Sequence, residues 1–231
     1  MGEASVAGLV ADMLSWRRAR EPDPADARLA LAVLERIAAG AAVSRDELVT
    51  LARAAAGGTA AEGDGDPAEA EERAERVAAL AELDPSGAVV GIHGLSLEPT
   101  AYTLALAEGD RGTWCALDTL FLPPLLGRSA RVDATCAVTG APVSVGVTAD
   151  GHVRDPAPAT LTLTVPVPDP DAPPRTHGEL RATFCAYSRY AAHPDAADAL
   201  VRERGDLTAV DLKDGALIGR GIAEGLAARA G

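Results

Sequence analysis

Asp84-Pro85-Ser86-Gly87 is the point at which this chain changes character. Upstream, apolar residues recur at helical spacing. Downstream, short alternating runs are separated by turn residues. Ala88–Leu97 and Tyr102–Ala107 read as strands, with Glu108-Gly109-Asp110 as a turn. Residues 113–122 read as a helix that ends at Pro123-Pro124. Residues 130–138 and 142–148 alternate around Thr139-Gly140-Ala141, the pattern of a hairpin. Thr160–Val167 reads as a strand, followed by a proline-rich linker over 166–174. Leu180–Ala191 alternates again. Helices are predicted over about 194–204 and 212–229, with Leu207–Val210 as a strand between them.

Upstream of the same point, Val6, Leu9, Val10, Met13 and Leu14 define a first helix. Asp23-Pro24 opens a second, with Leu29, Val33, Leu34 and Ile37 on one face and Gly40 near its end. Ser44-Arg45-Asp46-Glu47 is a capping box that starts a third. Gly57-Gly58-Thr59 stops it, and residues 57–66 lack periodicity and read as a mobile loop. Asp66-Pro67 opens a fourth helix, to about Leu83. The expected class is α+β. A helical part over 1–83 precedes a mixed, mostly antiparallel core over 84–231.

Composition narrows the partners. A net charge of −13 over 231 residues opposes attraction to nucleic acid or to anionic membrane. The three short N-terminal helices are therefore expected to cover something rather than to bind DNA. No apolar stretch reaches the roughly 18–20 residues that span a bilayer. The start of the chain lacks the pattern of a secretory signal, so the expected location is cytoplasmic, with reduced thiols.

Cysteine is scarce, at three residues. Cys115 lies in Trp114-Cys115-Ala116-Leu117-Asp118. On a helix, Cys115 and Asp118 would share a face. Taken alone, Cys115 is most simply a packed apolar thiol. If Leu180–Ala191 is a strand, Cys185 shares its more polar face with Arg181, Thr183 and Tyr187, which points towards a lined cavity. Cys136 falls on an apolar strand face with Val132, Ala134 and Val138 and reads as a core thiol. Paired zinc ligands are absent, and the histidines are scattered without ligand spacing, so neither structural zinc nor an iron–sulfur cluster is expected. Trp114, Phe121, Phe184, Tyr187 and Tyr190 are five of the seven aromatic residues. All lie within six positions of Cys115 or Cys185 and could wall an apolar pocket.

Over these residues the sequence resembles the organomercurial (alkylmercury) lyases. The likeness runs from Trp114-Cys115-Ala116-Leu117-Asp118-Thr119-Leu120 through Leu126-Gly127-Arg128-Ser129-Ala130-Arg131-Val132 to Cys136-Ala137-Val138-Thr139-Gly140-Ala141-Pro142-Val143-Ser144. Phe184-Cys185 forms a second block, and Leu207 to Gly219 is similar more loosely. The likeness covers roughly residues 88–225 and is strongest over 113–145.

The resemblance implies a helical, winged-helix-like N-terminal part followed by a core of small, mostly antiparallel sheets with flanking helices. It also implies protonolysis of a carbon–mercury bond, giving a hydrocarbon and Hg(II). It implies that Cys115 and Cys185 hold mercury, that Asp118 moves the proton beside it, and that Cys136 is structural. It implies no organic cofactor, because mercury enters as substrate, and small thiols or a mercuric reductase as the Hg(II) acceptor. Members often carry a second cysteine directly after the Phe-Cys pair. Here that position is Ala186, which puts the route of mercury release in question. Two other readings use the same residues: a non-catalytic protein that binds or senses Hg(II) or Cu(I), and a related enzyme that cleaves another bond.

Overall fold

The computed structural model describes residues 5–20, 23–57, 66–169 and 171–231. Most of the loop expected over 57–66 falls outside the described residues. The helical first part contains α1 (Val6–Arg20), α2 (Pro24–Ala38), α3 (Arg45–Ala56) and α4 (Pro67–Ala79). Their starts follow the sequence signals. Asp23 caps α2 by accepting the Ala25 N–H, and Asp66 caps α4 by accepting the Ala68 N–H. Ser44 Oγ accepts the Glu47 N–H at 3.2 Å at the head of α3. In α2 and α4 a proline occupies the first turn, where its missing N–H costs nothing.

The rest is mixed. In chain order it contains β1 (Glu82–Leu83), β2 (Val89–Ile92), β3 (Leu95–Ser96), β4 (Tyr102–Leu106), β5 (Gly109–Thr113), α5 (Asp118–Leu126), β6 (Ala130–Thr135), β7 (Pro142–Val147), β8 (Val153–Ala157), β9 (Thr162–Pro166), α6 (His177–Thr183), β10 (Tyr190–Ala191), α7 (Pro194–Glu203), β11 (Leu207–Asp211) and α8 (Leu212–Ala230). An antiparallel sheet runs in the order β1-β2-β3-β5-β4-β6-β7-β8, and a second in the order β10-β9-β11. The α+β class expected from the sequence is the class observed. One apolar core runs from Leu9 and Met13 of α1, through Leu34, Leu104 and Phe121, to Leu226 of α8.

Several boundaries differ from the sequence reading. α4 ends at Ala79, not Leu83, because Asp84 organises a turn. Its carboxylate accepts the Ser86 and Ala88 N–H groups, and Glu82–Leu83 become one arm of a hairpin with β2. The single strand expected over 88–97 is two strands folded about His93-Gly94. Both residues have positive φ, 51° and 93°, as a two-residue hairpin turn requires. Residues 109–113 form β5, and 153–157 form β8, neither foreseen. The strand from 130 stops at Thr135, so Cys136 sits in the following turn and Val138 is exposed.

The two largest differences lie at the candidate site. The helix expected over 113–122 starts five residues later and runs through Pro123-Pro124 to Leu126. Pro124 leaves the Leu120 carbonyl without its helical donor, and that carbonyl packs against Gly219 of α8. A Cβ at residue 219 would lie 2.6 Å from the Leu120 oxygen. A Cβ at residue 215 would lie 2.7 Å from Leu163 Cδ2 and 3.0 Å from Leu120 Cδ1, while Gly221 and Gly225 admit Val10 and Leu14 of α1. α8 is thus the post against which both α5 and α1 are seated. Gly219→Ala is expected to cost roughly 1–3 kcal/mol by overpacking against backbone that cannot yield. Chemical denaturation of that variant measures the loss.

The strand expected over 180–191 is instead the end of α6, a 3-10 turn at Cys185–Tyr187, and the two residues of β10. Thr176 Oγ1 accepts the Glu179 N–H at 3.1 Å, and the Glu179 carboxylate accepts the Arg175 N–H. These bonds start a helix that the alternation of Arg181, Thr183 and Cys185 had obscured.

Candidate active site

Each of the three polar residues is placed by a turn. Strand β5 ends at Thr113, and the Trp114 N–H donates to the Gly94 carbonyl at 2.8 Å. The chain then turns through Cys115–Leu117. The Leu117 carbonyl accepts the Leu120 and Phe121 N–H groups, so Asp118 is the first residue of α5. Cys115 and Asp118 meet through this turn and not through a shared helix face. Cys185 enters from the 3-10 turn after α6. The strand-face reading of Cys185 does not apply, since no strand is present there.

The structure nevertheless brings all three together. One ligand atom from each of Cys115, Asp118 and Cys185 lies within 4.8 Å of the other two. Among the described residues this is the one His/Cys/Asp/Glu cluster that tight. Two metal–thiolate bonds of roughly 2.3 Å would bridge two sulfurs at that spacing. Exposure is 0% for Cys115 and 5% for both Cys185 and Asp118, so bulk water is excluded. Cys136 lies outside the cluster. Its Sγ accepts the Ala192 N–H at 3.3 Å. Burial pushes its thiol up, but bonds from Thr139, Ala192 and Val138 outweigh this and bring it to about 7.

The chamber beside the cluster has a volume of about 20 Å³, room for about one water molecule. Met13, Trp16 and Arg17 of α1 close one side, the His93-Gly94 turn another, and Trp114 and Phe184 a third. Of the four N-terminal helices, α1 supplies a wall of the chamber. Trp16 and Phe184 stack with ring centroids 5.4 Å apart. The same pair lines an outer groove of about 450 Å³ that reaches Arg175 and Asp206. Trp114 is fixed by its Nε1 bond to Glu82 at 2.9 Å and by the His177 ring at 4.4 Å.

Charge in the chamber is set by burial. Burial pushes Asp118 up to about 6, against the hydrogen bonds from the Cys115 side chain and backbone and the charges of Arg17 and Arg181. Its Oδ2 is buried without a hydrogen-bond partner. The carboxyl group packs directly on Gly94, where a Cβ would lie 2.6 Å from Oδ1 and 2.7 Å from Oδ2. Burial likewise pushes the Cys115 thiol well above its usual range, and the neighbouring Cys185 and Asp118 push it further. At neutral pH the site therefore holds a carboxylate beside a protonated Cys115 thiol.

Asp118 binds its proton more tightly in the folded chain than its ordinary value of 3.8 allows. Its favourable contribution to stability is complete below that value and is lost as pH rises through about 6. The ionised form then costs roughly 3 kcal/mol. Asp118→Asn is accordingly expected to be more resistant to urea than the unaltered protein at pH 7.5, and to lose that advantage near pH 4.

Some site residues were not visible in the sequence reading. Met13, Trp16 and Arg17 belong to a helix remote in sequence, and no local signal marks them. His93 had been grouped with the scattered histidines. It lines the chamber through the turn with Gly94, and Arg17 Nη1 lies 3.4 Å from its Nδ1. The signal was a His-Gly pair inside an apolar run. Ala186, which stands where a second thiol was in question, is exposed and does not line the chamber.

Comparison with known proteins gives the class. The alkylmercury lyase profile matches residues 95–224, more than half of the chain, and the chain belongs to that family. An alkylmercury lyase of Streptomyces lividans is 34% identical over 145 residues, which are 63% of this chain and 64% of that protein. One of Pseudomonas putida is 31% identical over 119 residues, 51% of this chain and 52% of that protein. The chain thus matches about half to two thirds of the length of these relatives. A crystal structure described as the mercury-bound form of MerB2 superposes with a TM-score of 0.71 at 18% identity, covering 87% of this chain and 91% of that one. It has the same fold.

Proposed function

We propose that this protein is an organomercurial lyase, with Cys115 and Cys185 binding mercury and Asp118 carrying the proton. The observation that carries the reading is the buried cluster in which one atom of each residue lies within 4.8 Å of the others. Mercury(II) is soft and prefers thiolate to oxygen or nitrogen ligands. The reaction balances as one organomercurial cation and two thiols giving a hydrocarbon, a bis-thiolate of Hg(II) and one released proton.

The first thiol to bind mercury gives up its proton to Asp118, the nearest base. Donation from the second thiolate weakens the carbon–mercury bond. The carbon leaves with the bonding pair and takes the proton held by Asp118. Mercury binding acidifies the thiol, so a carboxyl group near 6 can take its proton and return it to the carbon at neutral pH. The small buried chamber, with room for about one water molecule, limits competition from water for that proton. No organic cofactor takes part in this scheme. Cys136 serves packing, and the Hg(II) acceptor is a small thiol or a mercuric reductase in the cytoplasm. Among the described residues no helix is long and apolar enough to cross a membrane.

The test is turnover. Purified protein mixed with methylmercury or phenylmercury and excess small thiol is expected to release methane or benzene repeatedly. Tight mercury binding without hydrocarbon would assign the site to sequestration, and inertness towards both compounds would assign it to another bond.

A further inference from the structure

Cys115 and Cys185 lie 70 positions apart on two separate turns, and one buried residue joins those turns. Ser188 is 0% exposed. Its N–H donates to the Phe184 carbonyl at 3.2 Å and closes the turn that carries Cys185. Its carbonyl accepts the Ala116 N–H at 3.1 Å and the Tyr102 hydroxyl at 3.4 Å. Its Oγ accepts the Leu117 N–H at 3.1 Å. A hydroxyl that accepts here still has its own hydrogen to give, and the Cys115 thiol lies within hydrogen-bonding reach of it. The carbonyl and hydroxyl of Ser188 thus tie the Cys185 turn to the Cys115 turn, while its N–H holds the Cys185 turn itself. A second link, Thr119 Oγ1 to the Tyr190 hydroxyl at 2.7 Å, joins α5 to β10.

We propose that Ser188 is the positioning residue that fixes the two sulfurs as one preformed chelate for Hg(II), by clamping the Cys115–Leu117 turn to the Cys185–Ser188 turn. This rests on the lyase reading only in taking mercury as the ligand. The physical content is effective concentration. Once one thiolate holds mercury, the second binds intramolecularly, and the gain depends on how well the frame matches the span. Without the clamp the second sulfur is presented over a wider range of positions, and a free thiol competes more easily.

Hg(II) retention tests this without requiring turnover. Protein loaded with one equivalent of mercuric chloride is titrated with a small monothiol, and the mercury remaining is followed through its sulfur-to-mercury absorption band. Ser188→Ala is expected to release half its mercury at a thiol concentration at least tenfold lower than the unaltered protein. Ser188→Thr keeps the hydroxyl and is expected to restore retention to within about threefold. Its near-isostere Ser188→Val lacks the hydroxyl and is expected to behave like Ser188→Ala. Equal retention in all four proteins would overturn the clamp, as would equal weakening in the Thr and Val variants. Where the Ala and Val variants fail to fold, hydrogen exchange in the unaltered protein decides. Slow exchange of the Ala116 and Leu117 amides supports the clamp, and rapid exchange of both overturns it. Unaltered protein that retains Hg(II) tightly but yields no hydrocarbon would remove the lyase reading and leave the clamp standing.

Discussion

Cys115→Ser and Cys185→Ser are each expected to abolish hydrocarbon release, lowering kcat/KM by about a thousandfold or more. Serine nearly preserves the shape of cysteine, but its hydroxyl is a hard, weakly acidic donor with little affinity for mercury. With one sulfur gone, the remaining thiolate still captures the organomercurial. The second donation that weakens the carbon–mercury bond is lost, together with the advantage of having that donor already in place. Both substitutions put a hydroxyl into a buried site, so some loss of stability accompanies them. Comparison with Cys136→Ser separates the two effects. That thiol is also buried, but it lies outside the cluster, and its variant is expected to keep hydrocarbon release. Turnover at the unaltered rate by either Cys115→Ser or Cys185→Ser would remove that cysteine from the mechanism.

Asp118→Ala is expected to keep mercury and lose cleavage, by about 10²- to 10⁴-fold, the usual contribution of a positioned acid or base. The carboxyl group is the nearest base to the thiols, and its Oδ2 is buried without a hydrogen-bond partner. Removing it leaves the thiol proton without an acceptor in a chamber with room for about one water molecule. The organomercurial should therefore accumulate on the protein with its carbon–mercury bond intact, a species that mass spectrometry resolves from the Hg(II) product. The unaltered protein should lose activity as pH falls through about 6, where Asp118 takes up its proton and can no longer accept one from a thiol. Cleavage at the unaltered rate in Asp118→Ala would mean that the proton comes from elsewhere.

The three residues proposed to react were singled out in the sequence by likeness to a known family, Cys115 and Asp118 in a long block from Trp114 to Ser144 and Cys185 in the short block Phe184-Cys185. The geometry that joins them was not legible there. Cys115 and Asp118 were expected on one helix, yet the chain turns between them. The prolines at 123 and 124 were read as a stop, and the helix passes through them because Gly219 gives the Leu120 carbonyl a place to pack. That compensation comes from a helix about a hundred residues away and has no local trace. Cys185 was assigned to a strand on an alternation of few residues, whereas the Thr176–Glu179 pair already marked a helix start. The helices opened by Asp23-Pro24, Ser44 and Asp66-Pro67 were readable because capping is local chemistry. The contributions of Trp16, Arg17 and Ser188 depend on tertiary packing alone.

A single turnover in deuterated water tests the central claim most directly. Fully reduced protein, free of added thiol, is mixed with one equivalent of methylmercury, and both the gas and the protein-bound metal are measured. The account predicts one equivalent of singly deuterated methane and one equivalent of Hg(II) held by Cys115 and Cys185. Methylmercury recovered intact on the protein, with no methane in the gas phase, would contradict it.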